Sequence, residues 1–248
     1  MQTNPRKNGF VEKTNHKTLH VLSVLFDTLI AHQEIPVFRG AMAEKVGFEH
    51  EWFHNHNNSE DGSDFHYRYP LIQYKRRGHQ PELLAIGQGV DAARMFFESL
   101  DWKMKIKGEI RDMPIEELKL KKYELKLEPE PIYTYLIHDW QALNQKNFET
   151  YKKMEGLFEI IRFLEPIMTA HILSFCKGIG WFVDGEIQLE IVEMYQRNQA
   201  NYKGISPALF NFAFRTNILL PDRIGLGKGA SQGFGVIKRK RFREKRSV

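Results

Sequence analysis

The amino-acid sequence predicts an α+β fold divided into two domains. In the first half, segments with the two-residue alternation of strands are interleaved with segments of helical spacing. Glu128-Pro129-Glu130-Pro131 then interrupts the pattern as a stiff linker, and a further strand and a long helical stretch follow it. We therefore expect an N-terminal domain over residues 1–130 and a C-terminal domain over residues 131–248.

The first domain contains six predicted elements whose order defines its topology. Thr18–Leu29 predicts a strand because it is rich in Val, Leu and Phe, and a helix follows from Pro36 to Gly47. The other four are a strand at Phe65–Arg76, a returning strand at Leu83–Ile86, an amphipathic helix at Val90–Leu100 and an alternating strand at Trp102–Lys107. This order is that of a ferredoxin-like domain. A further alternating strand is expected at Tyr123–Leu127.

The second domain shows a similar but less regular pattern. It begins with a predicted strand at Ile132–Ile137, followed by a helical stretch at Asn144–Lys177 that we expect to break near Pro166. Later predicted strands are Glu186–Tyr195, Pro207–Thr216 and Gly233–Ile237, the last two flanking a glycine-rich loop. A second ferredoxin-like domain is one interpretation of this order.

Composition predicts a soluble protein of the cytoplasm. Hydrophobic residues make up 42% and charged residues 27% of the 248 positions, an ordinary proportion for a globular chain. Cys176 is the single cysteine, which excludes an intrachain disulfide and fits a reducing compartment. No apolar run approaches the roughly 20 residues that a membrane-spanning helix needs.

The net charge of +5 is concentrated at the C-terminal end of the chain. The segment Lys238–Arg246 consists of Lys and Arg apart from one Phe and one Glu, so the remaining residues are close to neutral. One interpretation is a contact with a polyanion, and the other is a solvated tail that keeps the protein soluble. The charge distribution alone favours neither.

Residues 225–235 predict an irregular, phosphate-binding loop. Five glycines in this stretch exclude a regular helix or strand and would leave backbone N–H groups exposed to a phosphate. Their spacing fits neither a Walker A loop nor a dinucleotide fingerprint. Because Lys228, Arg223 and the basic tail are adjacent, we favour a nucleic-acid backbone site over a flexible turn.

Three histidines, His50, His54 and His56, lie within seven residues. In an extended segment, residues two apart face the same way, so His54 and His56 could reach one phosphate together. Cleavage of RNA without metal needs a base for the 2′-hydroxyl and an acid for the leaving oxygen, and imidazole suits both roles. A metal-chelating pair and a solvated polar loop remain the alternatives.

Basic and aromatic residues are interleaved over the predicted strand at Phe65–Arg76 and the turn after it. Arg68, Lys75, Arg76 and Arg77 alternate there with Tyr67, Tyr69 and Tyr74. This pattern suits RNA, with cations on phosphates and rings under bases, but it also fits an ordinary sheet face with buried tyrosines. His16, His20, His138 and His171 are assigned to core or surface by default.

Four sequence blocks together resemble the CRISPR repeat-processing endoribonucleases. The loop at 225–235 followed by Val236 resembles the C-terminal glycine-rich motif of that family. The stretches 38–41 (FRGA), 67–75 (YRYPLIQYK), 172–178 (ILSFCKG) and 220–229 (LPDRIGLGKG) resemble one branch of it, and their order spans nearly the whole chain.

The resemblance implies two ferredoxin-like domains in tandem, with RNA bound in the cleft and along the central face. It also implies cleavage of precursor CRISPR RNA repeats to a 2′,3′-cyclic phosphate and a 5′-hydroxyl, with no metal and no cofactor. In this family the catalytic histidine follows the first helix. The resemblance therefore indicates the His50–His56 region, where His54 and His56 match a His-x-His pair. Lys75 is expected to stabilise the phosphate and Tyr67 to position it.

The expected RNA contacts and partners follow from the same resemblance. The contact residues are Arg39, Arg68, Arg76, Arg77, Arg223, Gly225, Gly227, Lys228, Gly229, Ser231, Gly233, Gly235, Lys238 and Arg239. Other CRISPR effector-complex subunits and a second copy of the chain, as a homodimer, are further candidate partners. Some relatives bind RNA without cutting it, so a non-catalytic repeat-binding protein is the alternative.

Overall fold

A computed structural model describes residues 13–47, 53, 69–97, 102–195, 198–199 and 208–240. The strands are β1 (His16–Phe26), β2 (Ile72–Arg77), β3 (Gln80–Ile86), β4 (Lys103–Ile106), β5 (Glu109–Asp112), β6 (Ile115–Lys126), β7 (Tyr133–Gln141), β8 (Leu189–Met194), β9 (Asn198–Gln199), β10 (Ala208–Thr216) and β11 (Val236–Arg239). The helices are α1 (Ile35–Val46), α2 (Gln88–Phe97), α3 (Gln145–Tyr151) and α4 (Leu157–Gly178), and short 3-10 turns lie at His32–Glu34 and Ala230–Gln232. Within these segments, no helix has the length and apolar character needed to cross a membrane.

The first sheet has the ferredoxin-like topology that the sequence predicts. Its strand order is β2-β3-β1-β6, and each neighbouring pair is antiparallel. Helix α1 follows β1 and helix α2 follows β3, which gives the chain order strand, helix, strand, strand, helix, strand. Helix α1 begins with Pro36 in its first turn and ends at Gly47, as expected from the sequence.

The fourth strand of this sheet is β6, and the prediction that placed it at Trp102–Lys107 was wrong. The residues of β4 pair with β5 in a separate antiparallel hairpin. Met104 and Ile106 are buried in the same core cluster as Phe38 of helix α1. The alternation therefore identifies which residues of β4 are buried, but their partner is a helix rather than the sheet.

Strand β1 is covered on both faces, which explains its long apolar run. Leu22 and Val24 pack in the core beneath helices α1 and α2. Leu19 and Val21 point the other way and belong to a core cluster that includes Phe175 of helix α4. The two halves of the chain therefore share a hydrophobic core through the open face of the first sheet, and burial of each such side chain contributes roughly 1.5–3 kcal/mol.

The second sheet repeats the topology of the first with one replacement. Its order is β11-β7-β10-β8, with β9 paired to β10. Helices α3 and α4 connect β7 to β8, but an irregular segment over residues 217–235 connects β10 to β11 where the first domain has helix α2. The glycine-rich loop therefore occupies the place of the second helix, and the tandem ferredoxin-like fold is confirmed.

Several predicted boundaries differ from the structure; strand β6, for example, begins at Ile115 rather than at Tyr123. The helical stretch breaks at residues 152–156 rather than at Pro166, which lies inside the continuous helix α4. Leu164 and Met168 are buried on either side of Pro166, so packing holds the helix together despite one missing hydrogen bond. Strand β2 begins at Ile72 rather than at residue 65, and residues 65–68 lie outside the described part.

Candidate nucleic-acid interface

The entrance of the glycine-rich loop is bound to the first domain by buried hydrogen bonds. Gln73 of β2 is fully buried, and its Oε1 accepts from the backbone N–H of Gly225 at 2.9 Å. The Tyr69 hydroxyl donates to the carbonyl oxygen of Gly225 at 2.8 Å, and Gln73 Nε2 donates to that same hydroxyl at 2.8 Å. Both backbone groups of Gly225 are thus held by side chains that lie more than 150 residues earlier in the chain.

A buried carboxylate organises the charged groups beside this contact. Glu82 of β3 is 0% exposed and accepts from the guanidinium groups of Arg77 and Arg223 and from the Ser23 hydroxyl. Burial alone would raise the pKa of Glu82, but the charges and hydrogen bonds of Arg223 and Arg77 lower it below its ordinary value. Because Arg223 lies at the start of the loop segment, this ion cluster also joins the two halves.

Lys75 lies inside the same contact and is 1% exposed. Its ammonium nitrogen donates to Gln73 Oε1 at 2.6 Å and to the carbonyl oxygen of Arg223. Burial lowers the pKa of Lys75 well below its ordinary value, against the opposing effect of Glu82. A phosphate contact would require this side chain to leave both partners, so its position fits a structural connection between the domains better than the predicted stabilisation of phosphate.

The expectation that the loop exposes its backbone N–H groups is wrong for six of them. The amides of residues 225, 226, 228, 232, 234 and 235 donate to acceptors within the protein. The glycines instead permit close backbone packing: a Cβ at Gly235, whose φ is +61°, would lie 2.0 Å from the Leu226 carbonyl oxygen. Close approach of the chain to itself explains this glycine without a phosphate.

The far end of the loop packs on β2 and helix α1. Gly233 has a φ of +86°, and a Cβ there would lie 3.1 Å from Ile35 Cδ1 and 3.6 Å from the carbonyl oxygen of Tyr74. The hydroxyl of Tyr74 donates to the carbonyl oxygen of Phe53 at 3.5 Å, and Phe53 is 1% exposed. Strand β2 therefore packs against the far end of the loop, and its Tyr74 hydroxyl contacts the residue that precedes His54 in the sequence.

Five of the predicted site residues, His50, His54, His56, Tyr67 and Arg68, lie outside the described residues. Their roles stay predictions. In the described segments, no group of three or more His, Cys, Asp or Glu side chains could hold a metal ion.

Comparison with known proteins assigns the chain to a family. A family model for the Cas6b N-terminal domain matches residues 17–124, and one for the Cas6b C-terminal domain matches residues 127–240. The chain belongs to the Cas6b family. Its fold resembles that of a solved Cas6b, with a TM-score of 0.77 and 24% identity over 90% of this chain and 100% of that one.

Two further relatives extend the comparison. A solved structure described as the CRISPR RNA processing endoribonuclease Cas6b has a TM-score of 0.64 and 22% identity, over 90% of this chain and 100% of that chain. An uncharacterised protein of Methanocaldococcus jannaschii is 30% identical over 139 residues, which are 55% of this chain and 92% of that protein.

The basic residues predicted to bind RNA differ in accessibility in this Cas6b chain. Lys228 and Lys238 are exposed, whereas Arg39, Arg76, Arg77, Arg223 and Arg239 are half-buried and Ser231 is buried. The Arg239 guanidinium lies 4.9 Å from the ring centre of Tyr133, and Arg76 donates to the carbonyl oxygen of Ile30 at 3.0 Å. Lys228 lies in the glycine-rich loop and Lys238 on β11, and among the predicted basic contacts that the structure describes these two are the most accessible.

Sequence reasoning missed the residues that hold the loop in place. Glu82 interrupts an otherwise apolar strand, and a carboxylate in such a run is a signal of a buried ion pair. Gln73 carried no comparable signal. His171, assigned by default to core or surface, accepts a hydrogen bond from Trp140 Nε1 at 3.1 Å beside Gly227, and nothing in the local sequence indicates that pairing.

Proposed function

We propose that this Cas6b protein is a metal-independent endoribonuclease that cleaves precursor CRISPR RNA within its repeats. The description of a solved relative as a CRISPR RNA processing endoribonuclease supports the reaction class. The observation that carries the proposal is that β2 packs against the glycine-rich loop, while the hydroxyl of its Tyr74 donates to the carbonyl oxygen of Phe53. His54 follows Phe53 directly in the sequence, and in this proposal its imidazole reaches the RNA that the loop helps to hold.

The proposed chemistry is transesterification by the ribose on its own phosphate. One of His54 and His56 takes the proton of the 2′-hydroxyl, whose oxygen attacks phosphorus. The bond between phosphorus and the 5′-oxygen breaks, and the other histidine protonates that oxygen. The products are a 2′,3′-cyclic phosphate and a 5′-hydroxyl. Imidazole suits both steps because its ordinary pKa lies near 6.5.

Exposed cations of the loop and of β11 hold the RNA in this proposal. Lys228 and Lys238 supply ammonium groups for backbone phosphates, and Arg68 and Tyr67 are further candidate contacts. His50 is a third candidate imidazole. Affinity for repeat RNA should therefore fall as salt concentration rises.

The test is replacement of both His54 and His56 by Ala. Cleavage of a repeat RNA should fall by at least a thousandfold, while affinity for the RNA stays within about threefold, because each proton-transfer role contributes roughly 10²–10⁴ in rate. The matched control replaces His16 and His138, both exposed on strands, and should cleave like the wild type. Wild-type activity in the His54 and His56 double variant would refute the assignment.

Two conditions test the mechanism separately. Cleavage should persist in EDTA, and it should stop when hydrogen replaces the 2′-hydroxyl at the cut site. A strict requirement for added metal would favour the chelating interpretation of the histidine pair instead. If the wild-type protein binds the repeat but does not cut it, the result would favour the alternative, a non-catalytic RNA-binding protein.

A further inference from the structure

A cavity of about 370 Å³ lies on the second domain beside Lys228 of the glycine-rich loop. Helix α4 contributes Pro166, Ile167 and His171 to its wall, and the loop contributes Lys228. The volume falls within the roughly 300–1,000 Å³ of ordinary ligand pockets. The part of the lining from helix α4 combines apolar side chains with His171, and the other polar side chains, Asn144, Asn147 and Lys228, come from other segments.

His171 presents a hydrogen-bond donor to this cavity. Its Nδ1 accepts from Trp140 Nε1 at 3.1 Å, so the neutral ring carries its proton on Nε2. Burial, with a further contribution from the Lys228 charge, lowers the pKa of His171 to about 4. At neutral pH the ring is therefore an uncharged donor held in one tautomer, which suits binding and does not suit proton transfer.

Lys228 adds a cation to the lining of the cavity. It is exposed, and within the described part of the chain its ammonium group has no ion pair. The loop holds its backbone in place, since the Lys228 N–H donates to the carbonyl oxygen of Gln141 at 3.2 Å. A Cβ at Gly227 would lie 2.7 Å from Trp140 Nε1, so glycine lets the loop approach the Trp140–His171 pair closely.

We propose that this cavity binds one unpaired nucleotide of the repeat RNA, with its base against Pro166 and Ile167 and its acceptor atoms facing Lys228 and His171. This inference rests on the proposed function, because it names a second contact for the same RNA. Lys228 and His171 are donors, and Asn144 and Asn147 in the same lining carry both donors and acceptors, so the cavity can bind the polar edge of a base without a preference for one base. Single-stranded RNA is commonly bound with a base turned out into such a pocket.

The experiment measures affinity for a repeat RNA that carries hydrogen at the 2′ position of the cut site. One nucleotide at a time is made abasic, and each RNA is titrated against the wild type, His171→Asn and Lys228→Ala. Asn keeps an acceptor for Trp140 and removes the Nε2 donor. The control, Lys177→Ala, removes an exposed cation from the same helix outside the cavity.

We expect one position at which loss of the base weakens wild-type binding about tenfold, in line with the contribution of one stacked and hydrogen-bonded base. At that position the loss of affinity caused by the abasic site should be about threefold or less in His171→Asn and Lys228→Ala, and should stay near tenfold in Lys177→Ala. The cleavage rate at saturating unmodified RNA should remain within about twofold of wild type in the control Lys177→Ala, because this residue lies outside the cavity lining and the proposed RNA contacts.

Other outcomes separate the two proposals. Suppose that the wild type cleaves the repeat, but that removal of a base never costs less affinity in His171→Asn or Lys228→Ala than in the wild type. The nucleotide pocket is then refuted and the proposed function stands. If the wild type neither binds nor cleaves the repeat, both are refuted. Because Lys228 is exposed, its variant supplies a folded test protein even if His171→Asn proves unstable.

Discussion

Replacement of Glu82 by Gln should destabilise the protein by about 3 kcal/mol, because it removes the counter-charge at the junction of the two domains. Breaking a buried ion pair by removal of one partner typically costs about 3–5 kcal/mol. Arg77 and Arg223 remain charged at any ordinary pH, so neither can relieve the imbalance by losing a proton. Their side chains are 33% and 32% exposed, and this access to water places the cost at the lower end of the range.

Urea and thermal unfolding at pH 7 measure this cost. For a chain of 248 residues, about 3 kcal/mol corresponds to a decrease in Tm of roughly 6–12 °C. The control is Glu109→Gln, which removes a carboxylate that is 75% exposed and lies 3.6 Å from Arg111. Such surface pairs contribute little, so the control should change the free energy of unfolding by less than about 0.5 kcal/mol.

The pH dependence of the stability difference between the wild type and Glu82→Gln is a second, independent test. The pKa of Glu82 in the folded protein lies below its ordinary value of 4.5, so its contribution to stability is present above that value and is lost as the pH falls through the folded pKa. The difference in stability between wild type and Glu82→Gln should therefore shrink below about pH 4.5. A difference under about 1 kcal/mol at pH 7, or one that grows in acid, would contradict the interpretation of this cluster.

Three further substitutions test neighbouring parts of the junction. Lys75→Met removes a buried amine whose pKa is lower in the folded protein than in the unfolded chain. The stability of the wild type should therefore rise relative to that of the variant as the pH increases from the folded pKa to 10.5. Urea unfolding across alkaline pH measures this difference, and a constant difference would contradict the expectation. Tyr69→Phe removes two buried hydrogen bonds at the loop entrance and should cost about 2 kcal/mol in the same assay at pH 7. Gly235→Ala should cost more than about 3 kcal/mol because its Cβ would meet a carbonyl oxygen at 2.0 Å. The control Gly78→Ala, with a φ of +63° and no atom within 4 Å of the added Cβ, should cost only about 1–2 kcal/mol.

Local patterns in the sequence predicted most of the fold because they depend on burial within one element. Proline near the start of helix α1, Gly47 at its end and the apolar run of β1 each have a local physical cause. The alternation in β4 failed to identify its partner, since the same pattern arises whether a strand packs on a sheet or on a helix. Pro166 failed as a break signal because packing on both sides outweighs one missing hydrogen bond.

The site was less predictable because its key contacts are distant in the sequence. The glycine-rich loop was identified from composition, but its contacts with Gln73 and Glu82 span 152 and 141 positions, respectively. Composition also suggested free backbone amides, and the structure instead uses several of them to fold the loop on itself. The types of residue indicated a nucleic-acid interface. Only the tertiary structure distinguishes a solvent-exposed lysine, such as Lys228, from a buried one, such as Lys75.

Gln73→Leu provides a test of whether the junction positions the loop for the proposed reaction. The substitution leaves the Gly225 N–H and the Lys75 ammonium without the acceptor that both use. If cleavage depends on the loop position, the rate at saturating RNA should fall at least tenfold, since displacement of about 1 Å at a reacting site can cost about a hundredfold. Single-turnover cleavage well below the Tm of the variant measures this rate.

Gln73→Glu separates positioning from general loss of stability. A carboxylate retains the acceptor for Gly225 and Lys75 but loses the amide donor to Tyr69, so this variant is also weakened at the junction. Cleavage within about threefold of wild type in Gln73→Glu, together with a slow Gln73→Leu, would assign the effect to the acceptor that holds the loop. Equal slowing in both variants in proportion to their lost stability would mean that Gln73 supports the fold alone. Wild-type cleavage by Gln73→Leu would mean that the reaction does not depend on this hydrogen bond.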